Sequence, residues 1–327
     1  MPCVVSHNPG RPAVLVSPMP WNLFLILLIL PTVPADARNP LHETVAVQAA
    51  LERAGFSPGI IDGKLGPKTA QAIEAFQAYQ GLPPTGRLDA ATRQALEIDS
   101  RSPLITYRIT DADVRMVAPP PKKWQDKARA SRLGYESLAD LVAERGHCTQ
   151  GLLARLNPKL DLRRLRAGDE VLIPSTWSPD RAPQAARLDI HLTAKVIEVV
   201  DKSGRVVALF HCSIAKDKEK RPSGSARVTS VSRNPEYLFD PKMWPEVKGV
   251  DRKLRIPPGP RNPVGLCWIG LSLPGYGIHG TPNPELIGKT GSHGCFRLTN
   301  WDALRLARMV RVGTPIRFIE RSELARR

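Results

Sequence analysis

The segment from Ile278 to Leu298, IHGTPNPELIGKTGSHGCFRL, gathers two histidines, one cysteine and one arginine among glycines. A lone cysteine is more often a small buried hydrophobe than a reactive group. Cys295 has company that changes this reading: His293 shortly before it, Arg297 shortly after it, and Gly294 beside it. A thiol becomes a thiolate near neutral pH only in electropositive surroundings. Gly294 has no Cβ and lets a substrate or a backbone come close. The N–H groups of Gly294 and Cys295 are therefore candidates for an oxyanion hole. His279 stands earlier, at the edge of an apolar stretch. It can act as general base if a hairpin-like return of the chain brings it to the sulfur. The chemistry that this set supports is acyl transfer through a covalent thioester on Cys295. Two other readings stay open at this level. His279 can be a structural histidine bonded to a carbonyl, with His293 as the base. His279, His293 and Cys295, with His211 or Cys212, can also make a zinc site, although no H-x-x-x-H or C-x-x-C spacing supports it.

Taken together, these residues resemble the L,D-transpeptidase catalytic domain, also called the YkuD family, whose pattern pairs HGT with a later SHGC-x-R-L. Both halves stand complete, as His279-Gly280-Thr281 and Ser292-His293-Gly294-Cys295-Phe296-Arg297-Leu298. Further matches are Pro257-Pro258-Gly259, Asn262-Pro263-Val264-Gly265, Gly275-Tyr276-Gly277, Asn300 and Gly313-Thr314-Pro315, so the resemblance runs from Leu188 to Ile319. One stretch departs: the family's Thr-Pro-x-Gly-x-Phe is here Arg221-Pro222-Ser223-Gly224-Ser225-Ala226, without the aromatic residue. The resemblance implies Cys295 as nucleophile and His279 as proton donor and acceptor. Ser292, His293 and Gly294 would shape the oxyanion hole and orient His279, and Arg297 would hold the substrate or the loop. It implies a stem tetrapeptide ending in D-alanine as acyl donor and the side-chain amine of a second stem as acceptor, which gives a 3–3 cross-link. Water as acceptor would make an L,D-carboxypeptidase, and a lipoprotein lysine an anchoring enzyme. If Cys295 is unreactive, the chain is a non-catalytic wall-binding protein. No cofactor and no metal is implied.

The elements that must position these residues are legible around them. From Leu188 the pattern is of short strands: Leu188–Leu192, Lys195–Val200, Arg205–Phe210, Ala226–Val231, Cys267–Leu271 and Pro315–Ile319. One helix is expected over Asn300–Val310, with Asn300 as its cap. Upstream, residues 41–98 read as helical. An apolar stripe through Val45, Val47, Ala50, Leu51 and Ala54 ends at Gly55. Pro67 opens a second helix, and Asp89 can cap a third. The string Gly55–Thr92 resembles the three-helix peptidoglycan-binding domain. Residues 99–132 read as a linker with one short strand near Leu104–Ile109. Residues 133–175 show two helical stripes and then LRAGDEVLIP, which resembles a LysM repeat, a reader of N-acetylated glycans. The expected fold class is thus multidomain. It comprises a small three-helix bundle, a small LysM-like α+β module, and a mostly β, sandwich-like catalytic domain over 188–320 with one or two helices. Two wall-binding modules ahead of a catalyst would raise its local substrate concentration by tethering.

Residues 1–37 read as a signal peptide or N-terminal anchor. The apolar run Trp21–Leu30 is short for a bilayer span, and Ala35-Asp36-Ala37 fits a cleavage site. Export to the periplasm or cell envelope follows as an expectation, with membrane attachment through that run as the alternative. The 47 Lys and Arg exceed the 31 Asp and Glu, a net charge of +16. Such a chain favours an anionic partner. No basic helix with interleaved aromatics and no zinc-finger spacing is present, which argues against nucleic acid. Stem peptides and glycan strands of peptidoglycan are the expected partners.

Overall fold

The computed structural model describes residues 39–98, 101–177, 182–244, 247–292 and 294–320. Residues 1–37, read above as a signal peptide or anchor, and His293 lie outside the described residues. Three helices come first: α1 (Pro40–Ala54), α2 (Pro67–Gln80) and α3 (Ala90–Ala95). Gly55 ends α1 in the left-handed region at φ 95°, Pro67 sits in the first turn of α2, and the Asp89 side chain accepts from Thr92 N at the head of α3. Then follow β1 (Leu104–Arg108), α4 (Asp111–Met116), α5 (Trp124–Arg129), α6 (Leu138–Arg145), α7 (Gln150–Leu156) and β2 (Glu170–Pro174). β1 pairs antiparallel with β2 around α6 and α7. The segment read as a linker therefore holds a strand and two helices. Its Pro119-Pro120-Pro121 run only separates α4 from α5, and each of those helices packs on neighbours distant in sequence.

The remainder is mostly β. β3 (Arg187–His191), β4 (Val196–Val200), β5 (Val206–His211) and β6 (Ser225–Arg233) precede a short hairpin of β7 (Tyr237–Phe239) and β8 (Leu254–Ile256). β9 (Cys267–Leu271), β10 (Gly277–His279), β11 (Phe296–Arg297), helix α8 (Asn300–Met309) and β12 (Pro315–Ile319) follow. In place of two facing sheets, eight strands form one sheet in the order β11-β10-β9-β6-β12-β3-β4-β5. Its inner face packs Leu188, Ile190, Phe210, Ile269 and Phe296 around Ala303 and Leu306 of α8. The cap of α8 is Thr299, which accepts from Asp302 N, and not Asn300.

β4 is buried along its whole length, which explains its continuous VIEVV run. Its second cover is the helical region: Val196 and Leu209 share a core with Val47, Leu51, Phe56 and Phe76. Ser57 N donates to Leu209 O at 2.9 Å and Leu209 N to Gly55 O at 3.1 Å, so the turn after α1 adds a rung beside β5. The other side of α1 packs Val45 and Ala49 against Leu141, Leu152 and Val171. The N-terminal helical region is thus docked on the sheet. Among the described residues no helix is long and apolar enough to cross a membrane.

Candidate active site

β10 and β11 run parallel, with Ile278 opposite Phe296 and His279 opposite Arg297. Ile278 and Phe296 are buried in the sheet's core. Alternation then turns His279, Cys295 and Arg297 to the other face together. Cys295 itself lies in the bend just before β11, and its thiol donates to Gly275 O at 3.6 Å. Strand pairing, which a sixteen-residue sequence separation conceals, is what brings the two halves of the motif together.

His279 is buried, and its Nδ1 lies 2.6 Å from Gly280 O. A carbonyl only accepts, so Nδ1 carries the proton and Nε2 keeps its lone pair in the neutral ring. The expected carbonyl bond and a basic Nε2 are thus compatible. The Trp268 indole stacks on the imidazole, with centroids 5.6 Å apart and planes at 20°. Gly277 is required there: a Cβ would lie 2.4 Å from the Trp268 ring.

The turn before Cys295 is held by Ser292. Its hydroxyl donates to Cys295 O at 2.5 Å and accepts from Gly294 N at 3.2 Å. The Gly294 N–H, expected at an oxyanion hole, is here engaged by that hydroxyl. Ser292 N donates to Ile214 O at 2.8 Å, which fastens the turn beyond the end of β5. Gly291 must lack a Cβ because Lys216 Cβ stands 2.5 Å from where it would be. Arg297 reaches back to the same loop, donating to Thr290 O at 3.3 Å and to Gly291 O. The loop carbonyl of Ile287 accepts from Lys68 Nζ of α2 at 2.5 Å.

Electrostatics separate the cysteines. Burial pushes the thiols of Cys148 and Cys212 up to about 12 and that of Cys267 up to about 11. Cys295 is half-buried, the least enclosed of the free cysteines described. Burial raises its thiol too, while Gly277 N–H and the Arg297 charge oppose the rise. Burial and the Arg297 charge take His279 down to about 4 against its carbonyl bond. At rest Cys295 is therefore a neutral thiol and His279 a neutral imidazole.

Among the described residues no three His, Cys, Asp or Glu gather as metal ligands. His211, named above for a zinc site, is buried with Nε2 3.1 Å from Lys68 O. Sequence reading missed Trp268 as a neighbour of the site, because it lay unmarked in an apolar run. Asn300 was misassigned as a cap. Its Oδ1 accepts from Leu266 N at 3.1 Å, and its Nδ2 donates to Pro260 O and to Glu144 Oε1 of α6. Gly280 and Gly265 leave room for that amide, since a Cβ on either would lie within 2.3 Å of Oδ1.

Residues 185–317 match the L,D-transpeptidase catalytic domain of the YkuD family, and residues 42–96 match the peptidoglycan binding domain. The L,D-transpeptidase YkuD of Bacillus licheniformis is 31% identical over 181 residues, covering 55% of this chain and 92% of the relative. This chain belongs to the YkuD L,D-transpeptidase family. The Bacillus subtilis YkuD protein is 29% identical over 181 residues, again with 92% of its length covered. A solved L,D-transpeptidase from Xylanimonas cellulosilytica is 17% identical, with a TM-score of 0.34, covering 84% of this chain and 92% of the other. The YkuD domain here is the mostly β curled sheet, and its helical N-terminal region is the peptidoglycan-binding part. Both domains indicate peptidoglycan as the partner.

Proposed function

We propose that this YkuD-family protein is a cysteine L,D-transpeptidase that forms 3–3 cross-links between peptidoglycan stems. The observation that carries the reading is the shared face of His279, Cys295 and Arg297, with Cys295 the least buried described cysteine. His279 Nε2 takes the thiol proton as the sulfur attacks the carbonyl of the third stem residue. The imidazolium returns that proton to the departing amine of D-alanine, leaving a thioester. The acceptor amine then attacks the thioester carbonyl, His279 takes its extra proton, and the released thiolate recovers that proton. The Cys295 N–H holds the oxyanion, since Ser292 N and Gly294 N are engaged by Ile214 O and by the Ser292 hydroxyl. His293 belongs to the Ser292–Cys295 turn by sequence. Arg297 fixes the loop that carries it and favours the thiolate.

Residues 133–175 are read as LysM-like, since α6, α7 and β2 pack into one core and β2 pairs antiparallel with β1 of the preceding segment. Docked beside the sheet, they would present glycan at a fixed distance from Cys295. Export to the cell envelope accords with a substrate found there. Incubation with purified muropeptides tests the reaction. New dimers joined through the third residues support transfer. Stems shortened by D-alanine with no dimers would favour the L,D-carboxypeptidase reading.

A further inference from the structure

α2 begins Gly66-Pro67-Lys68, so a cation stands in its first turn, where the helix dipole disfavours one. Lys68 is tied to the catalytic domain through both its backbone and its side chain. Its carbonyl accepts from His211 Nε2 of β5 at 3.1 Å. Its Nζ donates to Ile287 O at 2.5 Å, in the segment between β10 and β11. The stem passes two glycines in the left-handed region. A Cβ on Gly59, at φ 80°, would lie 2.9 Å from Lys68 Cδ, and one on Gly288, at φ 76°, would lie 3.3 Å from Lys68 Cε. The next carbonyl, Gly288 O, accepts from Lys195 Nζ at 3.1 Å. Lys195 is itself fixed after β3: its N donates to His191 O and its carbonyl accepts from Cys212 N, each at 2.8 Å. Two ammonium groups from distant parts of the chain thus grip two successive carbonyls. Such charge-assisted bonds are about twice as strong as neutral ones.

The gripped segment reaches Cys295 bond by bond. Gly288 N donates to Ser213 Oγ at 2.8 Å. Ser213 is buried just after β5 and pairs with the backbone of Arg297. Ser213 N donates to Arg297 O at 2.8 Å, and Arg297 N donates to Ser213 O at 2.9 Å. The Arg297 guanidinium returns to Thr290 and Gly291 of the gripped segment, and Ser292 Oγ holds Cys295 O. The segment, Ser213 and β11 therefore close a ring of bonds that includes Cys295.

We propose that Lys68, in the region that matches the peptidoglycan-binding domain, is a positioning residue for the reaction: with Lys195 it clamps residues 286–291, so that Arg297 and Cys295 keep their places in the turn. The catalytic domain is then incomplete without the helical region docked on it. The inference rests on Cys295 as nucleophile, but two of its readouts need no turnover.

The test uses the full chain with Lys68→Met, Lys68→Arg, Lys195→Met and Lys289→Met. Lys68→Met keeps the stem and removes the donor. Alkylation of Cys295 by iodoacetamide at pH 8 should slow about threefold or more, and acylation by a carbapenem about tenfold. The acid limb of acylation should move upward as Arg297 loosens. Amides of 286–292 should exchange faster while those of β3 and β4 do not. Lys68→Arg should restore most of both rates, because a guanidinium still donates to Ile287 O. Lys289→Met removes an exposed cation from the same segment and should leave both rates at the wild-type value. Wild-type rates and an unmoved acid limb in folded Lys68→Met would overturn the clamp. An equal loss in Lys289→Met would overturn it too, since charge alone would then account for the effect. If Lys68→Met does not fold, Lys195→Met decides: slower alkylation with faster exchange at 286–292 supports the clamp, and wild-type behaviour overturns it. A wild-type protein that forms no thioester would sink the proposed function and leave the clamp to the alkylation and exchange results.

Discussion

His279 faces Arg297 directly across the parallel rung of β10 and β11, and Cys295 precedes that arginine on the same face. One guanidinium thereby acts on both partners. Its charge disfavours a proton on the imidazole and favours loss of a proton from the thiol. The two effects keep His279 unprotonated and make the sulfur easier to ionise.

The pH dependence follows from these directions. The Cys295 thiol lies above its ordinary value, so the thiolate is a minor species at neutral pH and grows as pH rises. Alkylation of Cys295 should therefore climb about tenfold per pH unit from pH 7 to 9 without levelling off. His279 is held down to about 4, so loss of acylation on the acid side should centre near that pH and not near 6.5. Rates measured across pH 3–9 check both limbs.

Arg297→Met removes the charge and the bonds to Thr290 and Gly291. Alkylation of Cys295 at pH 8 should slow several-fold, and the acid limb should move upward, because both groups lose their nearby cation. Arg297→Lys should recover part of the charge effect, without the fixed fork of donors that grips the loop.

Gly277→Ala places a methyl against the Trp268 indole. The ring must leave its stack on His279 or the strands must part, at a cost of about 1–3 kcal/mol. Thermal denaturation should show the loss, and acylation should fall further than stability alone explains.

Asn300→Ala strands Leu266 N in a buried place and takes one donor each from Pro260 O and Glu144 Oε1, which keep Arg261 and Tyr135 as donors. The unsatisfied N–H costs about 1–3 kcal/mol. The melting midpoint should fall by several degrees. Asn300→Asp should not rescue it, because a carboxylate cannot donate to Pro260 O or to Glu144.

The strands β3 to β6, β9 and β12 were legible because one of their faces is apolar at a period of two, or because both are. β10 and β11 were not, since strands of three and two residues carry no period. The motif HGT…SHGC nevertheless marked their place, because tight turns and close backbone approach leave a trail of glycines. The docking of the N-terminal region was hidden: nothing local to Phe56 or Leu209 says that they share one core. Residues 99–132 looked like a linker because prolines and charges outweigh its few apolar residues. Yet Trp124 and Leu133 gain their burial from the hairpin more than a hundred residues later.

The most direct measurement is the mass of the intact protein after incubation with a carbapenem or a tetrapeptide donor, followed by mapping of the modified peptide. One acyl group is expected on Cys295, none on Cys148, Cys212 or Cys267, and about a hundredfold or slower acylation in His279→Gln. A folded protein acylated at another cysteine, left unmodified, or acylated at the wild-type rate without His279 would contradict the assignment.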